Sequence, residues 1–237
     1  QAKLNASDNA SGDQFGLAVD ISTDTVLVGA PKSDVDVGAA YIFQRSAGIW
    51  SEQQKLLSSD LVAPFNQFGS AVSIADSTAV VSDFYAANQL NTNGYGGAVF
   101  VFTNNAGLWS EQQKITVPTS PIANIFSDEI GGVVQMPIEF RPLANEFDSF
   151  GYSVSLDDNY LVVGAPYYNS GSDRAGAAFV FDFQAGQWAL ARQITASDAF
   201  GDSYKLGSNQ IGATYNGDRF GFSVATNDGT VIAGANG

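Results

Sequence analysis

The sequence predicts an all-β fold: a β-propeller built of four-stranded antiparallel blades. Three observations carry this. A Phe-Gly pair preceded at two residues by Asp or Asn recurs at Phe15, Phe68, Phe150 and Phe220. Fourteen residues after each Phe stands a second station: Gly29-Ala30-Pro31, Ser82-Asp83-Phe84, Gly164-Ala165-Pro166 and Gly234-Ala235-Asn236. A third station, Gly-Ala with alternating aromatics, begins at Gly38, Gly97 and Gly176, and a Trp follows twelve residues after each Gly, at Trp50, Trp109 and Trp188. Fixed spacings in tandem copies are the signature of repeat architectures.

Each copy reads as four strands. In the first copy these are Leu17 to Ile21 after Phe-Gly, Thr25 to Gly29, the run Gly38 to Phe43, and Trp50 to Leu56. Apolar residues alternate with a period of two, and short turn signals such as Ser22-Thr23-Asp24 and Asn104-Asn105-Ala106-Gly107 separate the runs. A lone four-stranded sheet cannot bury both faces, so such sheets stack around an axis as blades. Small residues at the Gly-Ala stations suit crowded inner strands. The repeated Phe and Trp residues are packing residues on this reading. The region 1–237 is one domain, with blade repeats starting near 13, 66, 148 and 218 and insertions at 117–147 and 199–217. Phe200-Gly201 lacks the second station, with Thr214 standing there, and falls outside the repeat.

Composition agrees. Of 24 acidic residues, 19 are Asp and 5 are Glu, and there are 25 Gly, a turn-rich balance that disfavours helices. The chain has no Cys and no His, which excludes disulfides, thiolate nucleophiles, Cys/His zinc sites and histidine-based triads. Its net charge of −14 and ten dispersed Lys and Arg residues argue against nucleic-acid binding. No apolar run is long enough to insert in a membrane.

At these stations the chain resembles the FG-GAP repeat family, whose best-known members are the integrin α-subunit propellers. The resemblance implies an extracellular or cell-surface adhesion or binding module that needs no cofactor for catalysis. Integrin-like blades carry an Asp-rich calcium loop between strands one and two. Here that connection is a tight turn in every copy, so the loop does not carry over. Asp34 and Asp36, with Asp173 in the third copy, form the alternative calcium candidate between strands two and three.

Connections of unequal length are where recognition is expected. The step from the second to the third station is 9 residues in copy one, 15 in copy two (Ser82 to Gly97) and 12 in copy three (Gly164 to Gly176). The longer two supply Tyr85, Asn88 and Tyr95, and Tyr167 and Tyr168, as binding-loop candidates for a protein or glycan partner. Glu129, Glu139 and Glu146 in the first insertion are the residues a glycoside hydrolase reading would need, but proximity in a Pro-rich loop is poor evidence for a catalytic pair and solvated loop acids account for them better. Asn5 and Asn9 each begin an Asn-x-Ser triplet.

Gln1-Ala2-Lys3-Leu4 aligns with Gln53-Gln54-Lys55-Leu56, so the chain opens in a fourth strand and closes after a second one, 15 strands in all. This predicts an incomplete ring or part of a larger propeller. Further blades of a longer chain, or self-association through blade edges as a subunit of a surface assembly, would complete it.

Overall fold

A computed structural model describes residues 2–59, 66–86, 96–117, 148–168, 175–196 and 218–236. Its strands form three four-stranded antiparallel sheets and one two-stranded sheet, each in simple sequence order. Sheet I holds β1 (Val19–Ser22), β2 (Thr25–Ala30), β3 (Ala39–Ser46) and β4 (Ile49–Leu56). Sheet II holds β5 (Val72–Ala75), β6 (Thr78–Asp83), β7 (Ala98–Asn105) and β8 (Leu108–Thr116). Sheet III holds β9 (Ser153–Leu156), β10 (Tyr160–Ala165), β11 (Ala177–Gln184) and β12 (Gln187–Ile194), and sheet IV holds β13 (Ser223–Asn227) and β14 (Thr230–Gly234). Residues 118–147 and 197–217, which hold all of the two insertions but Val117 and include Glu129, Glu139 and Glu146, lie outside the described residues.

The turns repeat with the strands. Ala47-Gly48, Ala106-Gly107 and Ala185-Gly186 join third to fourth strands with both residues at positive φ, as a two-residue hairpin of right-handed twist requires. The ladder between third and fourth strands slips by one residue at the same place in each sheet, after Ile42, Val101 and Val180. Strand one begins at Val19 rather than Leu17, because Leu17 N–H donates to the Gln14 carbonyl in a turn. A single helical turn, α1 (Ser33–Asp36), fills the short connection of sheet I.

The sheets stack front to back. The back of sheet I (Leu27, Ala40, Ile42, Leu56) packs on the front of sheet II (Phe68, Val72, Ile74, Val81, Phe100, Trp109). The back of sheet II packs likewise on the front of sheet III, and the back of sheet III on sheet IV. The first strands β1, β5, β9 and β13 lie against one another in that order, so they are innermost. No hydrophobic cluster of the described residues joins sheet I to sheet IV.

This stacking explains the stations. In sheets I to III the Phe of Phe-Gly lies edge-on to the two aromatics of its own third strand: Phe15 meets Tyr41 at 5.5 Å and Phe43 at 6.0 Å, Phe68 meets Phe100 at 5.4 Å and Phe102 at 6.1 Å, and Phe150 meets Phe179 at 5.5 Å and Phe181 at 6.2 Å. The glycine of Gly-Ala takes positive φ directly beneath the next Phe. A Cβ on Gly38, Gly97 or Gly176 would collide with the carbonyl oxygen of Phe68, Phe150 or Phe220.

Polar clasps cross the seams between sheets I and II and between sheets II and III in the same register. The Gln54 side chain donates to the Trp109 carbonyl (2.7 Å) and accepts the Trp109 N–H (2.9 Å); Gln113 does the same to Trp188, at 2.8 Å for both bonds. Ser59 donates its N–H and hydroxyl to the Glu111 carboxylate, and Ser7 does so to Glu52. The N-terminal segment therefore sits on sheet I as the tail of sheet I sits on sheet II. It is not a strand, however. The described residues hold 14 strands, not 15, because no third strand stands beside residues 2–8 to form a ladder with them.

Candidate functional site

The seam between sheets II and III departs from the others at the second station. Ser82-Asp83-Phe84 replaces Gly-Ala-Pro there. Gly29 and Gly164 lie so close to the carbonyls of Gly69 and Gly221 that a Cβ would collide with them. At Ser82 a Cβ exists, and the backbones stand further apart: a Cβ on Gly151 would sit 3.1 Å from the Ala98 carbonyl oxygen.

Asp83 replaces the Ala30 and Ala165 of its neighbours and is fully buried. Its Oδ1 accepts the N–H of Gln67 and of Tyr85, both at 3.0 Å, tying the end of β6 to the start of its own repeat. Burial pushes its carboxyl up to about 6, against those backbone hydrogen bonds, which favour the charged form. With Asp83 anchored, the two rings that follow it are set outward.

These rings begin an aromatic ledge across sheets II, III and IV. It lies at the end where first strands start and second strands finish. Phe84 lies 4.5 Å from Tyr85 and 5.5 Å from Tyr152. Tyr152 continues to Phe222 at 4.9 Å and meets Tyr167 edge-on at 6.4 Å. The Arg219 guanidinium caps Tyr167 at 5.6 Å. Tyr85 is exposed and the other rings are half-buried. Burial pushes the Tyr152 phenol above the ordinary tyrosine value; nearby Tyr167 adds to this and Arg219 opposes it. The ledge thus presents apolar ring area, phenolic hydroxyls and one cation.

Of the binding-loop candidates, Tyr85 and Tyr167 belong to this ledge. Tyr168 turns inward, edge-on to Phe179 at 5.2 Å, and packs against the core between sheets II and III. Its position corresponds to buried Ser33 and Ala86: the carbonyl of each accepts the N–H of the following Gly-Ala glycine. Asn88 and Tyr95 lie outside the described residues. Sequence reading missed Tyr152 and Phe222. Each follows Phe-Gly, where Leu17 and Ser70 stand in the other copies, so the available signal was variation at a fixed place directly after an invariant pair.

The calcium candidates are placed differently. Asp34 is ion-paired to Lys55 (2.8 Å), which also holds Asp8 (2.6 Å) and lies 5.5 Å over the Tyr41 ring. Burial opposes the charge on Lys55, yet the carboxylates of Asp34 and Asp8 hold its ammonium well above the usual lysine range. A cation at Asp34 would have to displace that ammonium. The Asp36 side chain and Asp173 lie outside the described residues, and no three acidic side chains among the described residues form a metal-holding group.

Sheets of four antiparallel strands, stacked front to back with first strands innermost, define an all-β repeat protein whose units are built as propeller blades. The chain belongs to the FG-GAP repeat family: the family model, described as FG-GAP repeat, matches residues 1–43, 50–102 and 144–181, more than half of its length. Repeats of this kind occur in integrin-α-like extracellular proteins. No curated protein matches the chain. No helix among the described residues is long and apolar enough to cross a membrane.

Proposed function

We propose that this protein is a non-enzymatic, extracellular or cell-surface binding module that recognises a protein or glycan through one end of its blade stack. The ledge of Tyr85, Phe84, Tyr152, Tyr167 and Phe222 is the single observation that carries this reading. Aromatic side chains in a contiguous, partly exposed group supply contact area at low conformational cost, and phenols add hydrogen-bonding tips. Extracellular placement draws on the family, whose repeats are typical of surface proteins.

The test uses an immobilised panel of glycans and matrix polypeptides. Wild-type protein should bind at least one member, and Tyr152→Ala should weaken that binding about 30-fold, as for an interface anchor. The unfolding midpoint should stay nearly unchanged. No bound member, or binding untouched by Tyr152→Ala, would overturn the proposal.

A further inference from the structure

The ledge is assembled at places where the repeat itself demands neither an aromatic ring nor a cation. Directly after Phe-Gly stand Leu17 and Ser70 in copies one and two, but Tyr152 and Phe222 in copies three and four. After the second station Lys32 stands where Tyr85 and Tyr167 do. Directly before Phe-Gly stand Gln14, Gln67 and Ser149, but Arg219 in the fourth copy. The backbone there has the same shape whichever side chain it carries: φ is 57° at Gln14, 51° at Ser149 and 51° at Arg219. The fold therefore does not call for the guanidinium.

Arg219 is half-buried over the Tyr167 ring, and its charge reaches the Tyr152 phenol, whose rise it opposes. The chain has 24 acids for 10 Lys and Arg, yet no carboxylate among the described residues pairs with Arg219, whereas Arg45 and Lys55 are both held by aspartates. Among the described residues the hydroxyls of Tyr152 and Tyr167 also make no hydrogen bond. The backbone donors beside them are spent. Tyr85 N–H goes to Asp83, Tyr152 N–H to the Ser149 carbonyl, and Phe222 N–H to the carbonyls of Arg219 and Gly234. What the ledge offers a ligand is side chains: ring area, phenols and a guanidinium that lacks a carboxylate.

A bound peptide brings backbone N–H and C=O groups that need partners along its length, and the ledge has no backbone donors left to meet them. A pyranose asks for less. Its C–H faces lie on rings, its hydroxyls meet phenols, and a carboxylate on the sugar meets a guanidinium in a charge-assisted pair. The net charge of −14 repels densely charged chains, so a single carboxylate on the bound sugar suits this surface better than a polysulfate does. Building on the binding reading above, we propose that the ledge takes a glycan bearing a carboxylated sugar, a uronate or a sialate, with its carboxylate on Arg219 and its apolar ring face on the neighbouring tyrosines.

An array of oligosaccharides ending in galacturonate, glucuronate or sialic acid, each beside its methyl ester, tests this alongside neutral glycans and acidic peptides. The ester keeps the shape of the sugar and removes its charge. Wild-type protein should bind at least one acid form about 10-fold more tightly than its ester. Arg219→Gln, which installs the residue of copies one and two, should bring acid and ester to equal affinity with an unchanged unfolding midpoint. Equal binding of acid and ester by the wild type, acid binding untouched by Arg219→Gln, or capture of neutral glycans or peptides alone would overturn the carboxylated sugar. If Tyr152→Ala still weakened that capture, the binding reading would stand without it. Capture of no array member would overturn both.

Discussion

The seam between sheets II and III and the seam between sheets III and IV use the same plan with opposite tolerance. At Gly164 the neighbouring carbonyl of Gly221 occupies the place of a side chain, and Ser153 donates across the seam to that same carbonyl at 3.0 Å. At Ser82 the backbones have moved apart, the hydroxyl accepts the Ala71 N–H at 3.0 Å, and the next residue is a buried carboxylate instead of Ala. A repeat can thus keep its register while one copy exchanges close packing for polar anchoring. The exchange falls where the ledge begins, because Asp83 fixes the backbone that carries Phe84 and Tyr85.

The largest expected effect breaks this comparison directly. Gly164→Ala should cost about 3 kcal/mol in urea unfolding, since the backbones must part to admit a methyl group. The reverse change, Ser82→Gly, should cost only about 1 kcal/mol, from one hydrogen bond and added chain entropy. Equal costs would show that the two seams do not differ.

Asp83 sharpens the comparison through pH. Its folded value of about 6 exceeds the ordinary 3.8, so the folded chain binds the proton more tightly than the unfolded chain. That contribution is fully present below the unfolded value and is lost as pH rises through the folded one. Wild-type stability should therefore fall by about 2–3 kcal/mol relative to Asp83→Asn between pH 4 and pH 6.5, and the gap should be flat above that. Parallel curves for the two proteins would contradict the assignment.

A further comparison concerns the amide clasps. Gln113→Ala should cost about 2 kcal/mol, because it leaves the N–H and carbonyl of buried Trp188 unpaired, and Gln54→Ala should match it at Trp109. A loss at one site without the other would show that the two seams are not equivalent.

Much of this was legible in the sequence, for physical reasons that differ by element. Phe68, Phe100, Phe102 and Trp109 announce themselves because packing demands recur in every copy. Gly38, Gly97 and Gly176 do so because a carbonyl fills the space of a Cβ each time. The ledge was half legible. Tyr85 and Tyr167 stood out as aromatics in long loops, but Tyr152 and Phe222 occupy a place with no repeated demand. Tyr168 looks like its neighbour Tyr167 in the sequence but is half-buried against the core, at the place where sheet I has Ser33 and sheet II has Ala86. The N-terminal match to Gln53-Gln54-Lys55-Leu56 identified a repeat position, as the Ser7–Glu52 bonds show, but repeat identity does not make a strand without a ladder partner.

The central claim is that each unit lies on the next in one fixed register, and the absence of native cysteine makes it directly measurable. Paired cysteines can be placed at exposed Ser59 and at Glu111, and separately at Ser7 and Glu52, then treated with a short bismaleimide. Both pairs should join rapidly within single molecules, while Ser7→Cys combined with Glu111→Cys should not. Failure of the Ser59 and Glu111 pair to join, or equal reaction of the mismatched pair, would contradict the stacking on which both the seams and the ledge depend.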